Sequence, residues 1–252
     1  MMAQDKFRIW IITLFPEYFE VFKKFGVAGS ALSGERGAKF ELNLVNVGEY
    51  SQKKWKGVDD SPYGGGAGMV MRPDVLKNAL VEGVVVPGKY PENYREKLHI
   101  VYTGPRGKIW SDELARDFSA KYWHVGDRKD LVFICGRYEG IDERFIDLYV
   151  DQQISVGDYI LTGGEIAVML ILDSSLRFVD GVLGNKLSSG NESFTGGLLE
   201  HPHYTKPQVF DEVSVPEILL SGHHDKIEKF RESERVRVTK IYRPDLLKGK
   251  SK

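Results

Sequence analysis

The chain has 252 residues, 42% of them hydrophobic and 28% charged, with a formal net charge of −1. That length and composition suit a globular protein with one large domain, or a medium domain joined to a small one. Apolar runs of about strand length, interrupted by charge, exclude a membrane span, and a start bearing Asp5, Lys6 and Arg8 does not read as a signal peptide. The single cysteine, Cys135, excludes an internal disulfide and leads us to expect a reducing, cytoplasmic setting. Near-zero net charge argues weakly against a nucleic-acid partner. Its distribution argues the other way: from Ser221 onward ten Lys and Arg stand against five Asp and Glu, a basic tail suited to a polyanion that touches part of the surface.

In chain order, 7–15 (FRIWIITLF) is an apolar, β-rich run ended by Pro16, and 17–25 follows with helical spacing of Tyr18, Val21, Phe22 and Phe25. Residues 39–47 alternate with period two. Pro73 opens a helix over 74–80 from its first turn, where proline costs least. Residues 98–102, 131–135 and 153–156 read as short buried strands. Helices are expected at 111–120, capped by Ser111 or Asp112, at 142–149, and as a long apolar stretch at 165–178. Alternation of this kind predicts an α/β fold, a mostly parallel sheet with helices on both faces. The texture then changes. Residues 184–197 are rich in Gly, Ser and Asn and read as a flexible interdomain linker. Three prolines and an amphipathic basic helix from about His224 to Ile241 follow. The expected division is therefore 1–183, a linker at 184–197, and a small helical domain at 198–252.

Ligands of open parallel sheets bind beyond the carboxyl ends of the strands. Three such ends here are rich in glycine: 103–107 (TGPRG), 136–140 (GRYEG) and 157–165 (GDYILTGGE). Each alone is an ordinary turn; together they predict one small-molecule site lined by main-chain groups. No G-x-G-x-x-G is present, which disfavours a dinucleotide. The segment 83–90 (GVVVPGKY) falls short of a P-loop, because Tyr90 stands where Ser or Thr is required. A further glycine cluster, 62–69 (PYGGGAGM), reads either as a mobile loop or as a backbone surface for a flat base or a partner subunit. The histidines at 201, 203, 223 and 224 lack partners at zinc-site spacing, and Cys135 reads as core.

Taken in order, Phe15-Pro16-Glu17, 59–69 (DDSPYGGGAGM), 134–144 (ICGRYEGIDER), 155–165 (SVGDYILTGGE), Arg177-Phe178, 203–207 (HYTKP) and 243–247 (RPDLL) resemble the bacterial tRNA (guanine-N1) methyltransferases of the SPOUT class over nearly the whole chain. The resemblance implies a deep trefoil knot in the C-terminal part of the sheet and a homodimer, with S-adenosylmethionine as methyl donor. The implied substrate is the guanine immediately 3′ of the tRNA anticodon. The cofactor wall it implies comprises Tyr102, Gly104 and Pro105 from the first loop and Gly136, Tyr138 and Glu139 from the second. Val156, Gly157, Asp158, Tyr159, Ile160, Leu161, Gly163 and Gly164 complete it. It further implies a general base in the linker, at Glu192 where the family usually has aspartate, and Arg177 as the cation facing guanine O6. Activity is linked to Mg²⁺ in that family, with Glu200 and His203 as supporting groups. The basic helix, through Lys226, Lys229, Arg231, Arg235, Arg237 and Lys240, would meet tRNA phosphates. Two alternatives remain: a non-catalytic RNA-binding relative, and an enzyme of the same class acting on another nucleotide.

Overall fold

Alternate side chains of the first strand, β1 (Phe7–Thr13), enter two different apolar layers, with Ile9 and Ile11 in one and Trp10 and Ile12 in the other. Such two-sided burial marks an inner strand of a sheet covered on both faces. The computed structural model describes residues 6–36, 40–52, 57–124, 126, 128–183 and 192–248, and the chain divides into two compact units, Met1–Gly184 and Asn185–Lys252.

In the first unit β1 leads through α1 (Glu17–Phe22) and α2 (Gly26–Leu32) to β2 (Phe40–Asn46). A short antiparallel pair, β3 (Asp59–Asp60) and β4 (Val70–Met71), encloses the glycine cluster, and α3 (Pro73–Leu80) follows with proline in its first turn. Then come β5 (Leu98–Ile109), α4 (Asp112–Tyr122), β6 (Asp130–Ile134), α5 (Glu143–Tyr149), β7 (Gln152–Ser155) and α6 (Glu165–Leu176). The main sheet runs β2-β1-β6-β5-β7, and every pairing in it is parallel. Side chains of α1, α2, α4 and α6, such as Phe19, Ala31, Phe118 and Ile171, share one layer. Those of α3 and α5, such as Leu76 and Phe145, share the other. The caps are those the residue types favour: the Ser111 hydroxyl accepts from Leu114 N–H at 3.2 Å, and the Asp142 carboxylate accepts from Arg144 N–H at 2.9 Å.

Several expected elements change length. The helix begun at Glu17 ends at Phe22, and α2 restarts at Gly26, whose φ is +73°; two glycines and short side chains left α2 without a readable helical stripe. The strand expected to stop at Tyr102 continues to Ile109, with an excursion inside it. Thr103 and Lys108 are both in register with Ile154 of β7, so residues 104–107 bulge out between them. Gly107 is required there by space: a Cβ would sit 2.4 Å from the backbone N and C of Ile154.

In the second unit, residues 192–197 of the expected linker are folded. Phe194 N–H donates to Leu198 O at 2.7 Å, and Gly197 N–H donates to Phe194 O at 2.9 Å. This turn is held on α8 (His224–Tyr242), where Arg235 donates to Thr195 O at 2.8 Å and Thr239 Oγ1 accepts from Leu199 N–H at 2.8 Å. The rest of that stretch lies outside the described residues. A two-residue hairpin, β8 (Val209–Phe210) and β9 (Val213–Ser214), turns at Asp211 and Glu212, both with positive φ. Short helices α7 (Glu217–Leu220) and α9 (Asp245–Lys248) flank α8. No described helix is long and apolar enough to cross a membrane.

Gly107→Ala must displace Ile154 or the excursion. We expect a loss of about 1–3 kcal/mol in urea-induced unfolding, and a stability equal to that of the parent would refute the close approach.

Candidate active site

The excursion inside β5 and the carboxyl ends of β6 and β7 converge on one cavity of about 320 Å³. Its wall is built from the three glycine-bearing loops: Tyr102 to Pro105, Gly136 to Gly140, and Ile154 through Gly164, with Ala167 from α6 behind them. Thirteen of the fourteen residues expected to hold a cofactor line it; Asp158 does not, and is exposed on the third loop. Seven further residues line it: Thr103, Arg137, Gly140 and Thr162, which lie in the three predicted loops without having been named as cofactor residues, and Ile154, Ser155 and Ala167, which sequence reasoning missed. Of these, Arg137 carried a readable signal, a cation inside a glycine loop.

Side-chain packing determines where the loops can lie. Gly164 closes the third loop onto the other two: its N–H donates to Gly136 O at 2.9 Å, and a Cβ there would stand 2.6 Å from Thr103 Oγ1 and 2.9 Å from Cys135 Cα. Directly after it, Glu165 begins α6 with a carboxylate only 1% exposed. That carboxylate accepts from Thr13 Oγ1 at 2.8 Å, at the end of β1, and from Arg137 Nε at 3.2 Å, with Arg137 Nη2 2.9 Å from its other oxygen. Arg137 also donates to Thr162 O at 3.2 Å and lies over the Phe15 ring at 4.4 Å. One buried ion pair thus ties β1, the second loop and the third loop together, and the α6 N-terminus favours the negative charge.

The second loop is braced from outside by the β3–β4 pair. Glu139 N–H donates to Met69 O at 3.0 Å and Met71 N–H to Gly140 O at 2.9 Å, and the Glu139 side chain lies against Gly68. The glycine cluster is therefore the turn region of a docked hairpin, with Tyr63 at its tip 98% exposed. Tyr138 holds a left-handed φ of 60° and is half exposed at the cavity.

The chemistry of the wall suits an uncharged heterocycle with a polar tail. Main-chain groups and the side chains of Ile154, Val156 and Leu161 offer shape and hydrogen-bond donors, while Thr103 Oγ1 is buried at the wall with no hydrogen-bond partner among the described residues. Burial raises the Tyr102 phenol, so it is neutral at pH 7. Burial also pushes the Cys135 thiol well up, which excludes it as a thiolate nucleophile.

Arg177 caps the C-terminus of α6 in the first unit, half buried beside Phe178. Glu192 opens the folded turn of the second unit, its carbonyl accepting from Thr195 N–H at 3.2 Å. In that unit Glu200 and His203 pair at 2.9 Å. No group of three or more His, Cys, Asp or Glu that could hold a metal occurs among the described residues. The cations of α8 are less available than their number implies. Arg231, Arg235 and Arg237 pair with Glu228, Glu232 and Glu234 one turn before each, and Arg235 is further spent on Thr195 and Leu199 carbonyls.

Comparisons with known proteins point to one family. The tRNA (Guanine-1)-methyltransferase TrmD family matches residues 7–249. A tRNA (guanine-N(1)-)-methyltransferase of Clostridium tetani is 46% identical over 96% of this chain and 92% of its own. The namesakes from Clostridium botulinum and Lactobacillus delbrueckii subsp. bulgaricus are 44% identical over 96% of this chain and 92% of their own, and 41% over 94% and 87%.

Glu165→Ala leaves Arg137 without its carboxylate in a largely buried place. We expect about 3 kcal/mol of destabilisation in chemical unfolding, and a loss within 0.5 kcal/mol (the ordinary range for a surface change, roughly) would show that the pair does not organise the loops.

Proposed function

This chain belongs to the tRNA (guanine-1)-methyltransferase family, and we propose that it transfers a methyl group from S-adenosylmethionine to N1 of the guanine immediately 3′ of the anticodon in tRNA. The observation that carries the reading is the cavity at three strand ends, walled by main chain and with an unsatisfied Thr103 hydroxyl. Those features fit an adenosine-bearing cofactor held by backbone groups and shape. When bound, that cofactor supplies an electrophilic methyl on a sulfonium.

The chain's own residues then have two tasks. Guanine N1 carries a proton at neutral pH and is a poor nucleophile until the proton leaves, so a base must reach it. We assign Glu192 to accept that proton. Negative charge spreading to O6 needs a cation, and Arg177 is assigned to it. Arg177 ends α6 of the first compact unit, and Glu192 opens the folded turn of the second. Glutamate at 192 keeps the charge of the usual aspartate on a stem longer by one methylene, and its place in a folded turn sets its reach.

The trefoil knot is part of the proposal, supported by the close seating of Gly163 and Gly164 across the ends of β5 and β6. So is the homodimer. The helix α6 is apolar around its circumference, and Ile166 and Leu170 remain exposed on it, as do Tyr18, Val21 and Phe25 on and after α1. A second copy of the chain would cover such a surface. Among the described residues Glu200 and His203 form a single ion pair and do not make a cation site.

Transfer of tritiated methyl to a tRNA transcript with guanine 3′ of the anticodon, and its loss when adenine replaces that guanine, tests the reading. Mass-spectrometric mapping of the product to any other position would overturn it. Glu192→Gln is expected to abolish transfer while calorimetric binding of the cofactor persists, and Arg177→Ala to slow it by about 10²-fold or more. Near-parental rates in either variant would remove that residue from the assignment.

A further inference from the structure

A second cavity, of about 350 Å³, opens at the opposite end of the main sheet. Its lining comes from residues at the amino ends of three parallel strands: Lys6 before β1, Lys97 before β5, and Arg128 and Asp130 at the start of β6. Arg8 and Lys89 complete a ring of five cations around one carboxylate. That carboxylate is already committed. Asp130 pairs with Arg8 at 2.8 Å and accepts from the Tyr90 hydroxyl at 2.6 Å. Five cations and one carboxylate therefore line the pocket, on a chain whose net charge is −1.

The two guanidiniums are fixed in place. Arg8 donates to Gly88 O at 2.9 Å and lies 4.5 Å from the centre of the Tyr90 ring. Arg128 donates to Lys6 O at 3.1 Å and lies over the Phe7 ring at 4.1 Å. The three lysines are exposed, Lys6 with its ammonium 3.7 Å from the Glu41 carboxylate. Lys89 has a left-handed backbone (φ 55°), a conformation that a residue with a Cβ adopts at a cost and that concentrates at functional positions.

We infer that this amino-end pocket is a second anchor for substrate RNA, taking backbone phosphates. Fixed guanidiniums with exposed ammonium groups around them suit a chain of phosphates bound as point charges. A small phosphate ester would call for buried donors converging on it, and the pocket's lysines instead lie in solvent. The seven residues of β1 separate this pocket from the candidate active site by about 20 Å, so an RNA whose guanine occupies one end of the sheet meets the other end with its stem. The contacts would fix register and carry no sequence information. The inference rests on the tRNA reading above.

The test is tRNA binding by the full chain across a series of salt concentrations, for the parent and for Lys6→Gln/Lys89→Gln/Lys97→Gln. The expected result is roughly tenfold weaker binding at low salt and a salt slope shallower by about 2, a raised KM for tRNA, and unchanged kcat and calorimetric cofactor binding. Lys97→Gln alone, a solvent-facing change that leaves the fold intact, should shift the slope by about 1 in the same direction. Unaltered tRNA affinity and slope in both variants would overturn the inference while leaving the methyltransferase reading in place. If inorganic phosphate binds the parent but not the triple variant, and tRNA binding is equal in both, the pocket serves a free anion and the inference also falls. A parent that neither binds nor methylates tRNA would overturn the function on which the inference rests.

Discussion

A carboxylate placed at 1% exposure has to be neutralised by something close, and for Glu165 the neutralising groups come from elsewhere in the chain. Thr13 comes from the end of the first strand, 152 residues away, and Arg137 from the second loop. Because Glu165 also begins α6, satisfying its charge determines where that helix starts, and hence where the third loop must run. The Arg137 guanidinium then has donors left for Thr162 O, which holds the third loop against the second. The cavity exists because these demands are met together.

Six of the residues that line the cavity are glycines, and around them stand apolar side chains such as Ile154, Val156 and Leu161 and polar ones such as Thr103, Arg137, Glu139 and Thr162. Arg177, at the end of α6, and Glu192, in the other compact unit, are not among the residues that line the cavity. Three of the six cations of the C-terminal helix, Arg231, Arg235 and Arg237, pair with its own glutamates, so the basic character of that region is weaker than a count of residues implies, while five cations line the pocket at the amino end of the sheet.

Some elements escaped sequence reasoning for identifiable reasons. The hairpin at 209–214 turns on Asp211-Glu212, where glycine or asparagine is the usual signal for positive φ. The strand β5 crosses Gly104 and Pro105, residues that ordinarily end a strand, because Lys108 and Ile109 find β7 again after the excursion. Residues 192–197 have the composition of a tether yet fold, because Arg235 satisfies Thr195 O and the segment pairs its own N–H and C=O groups, Thr195 with Glu192 and Gly197 with Phe194.

Local pattern was enough to place the parallel sheet, its helices and the three glycine-bearing strand ends, since periodicity and the conformational freedom of glycine are properties of neighbouring residues. Resemblance of the 134–144 and 155–165 stretches added the family. Only the tertiary structure decided that the three ends form one cavity, that Arg137 belongs to Glu165, and that cations at positions 6, 8, 89, 97 and 128 share a pocket. Those facts depend on which strands lie side by side, and strand order is set by the burial of side chains distant in the chain, which no local pattern encodes.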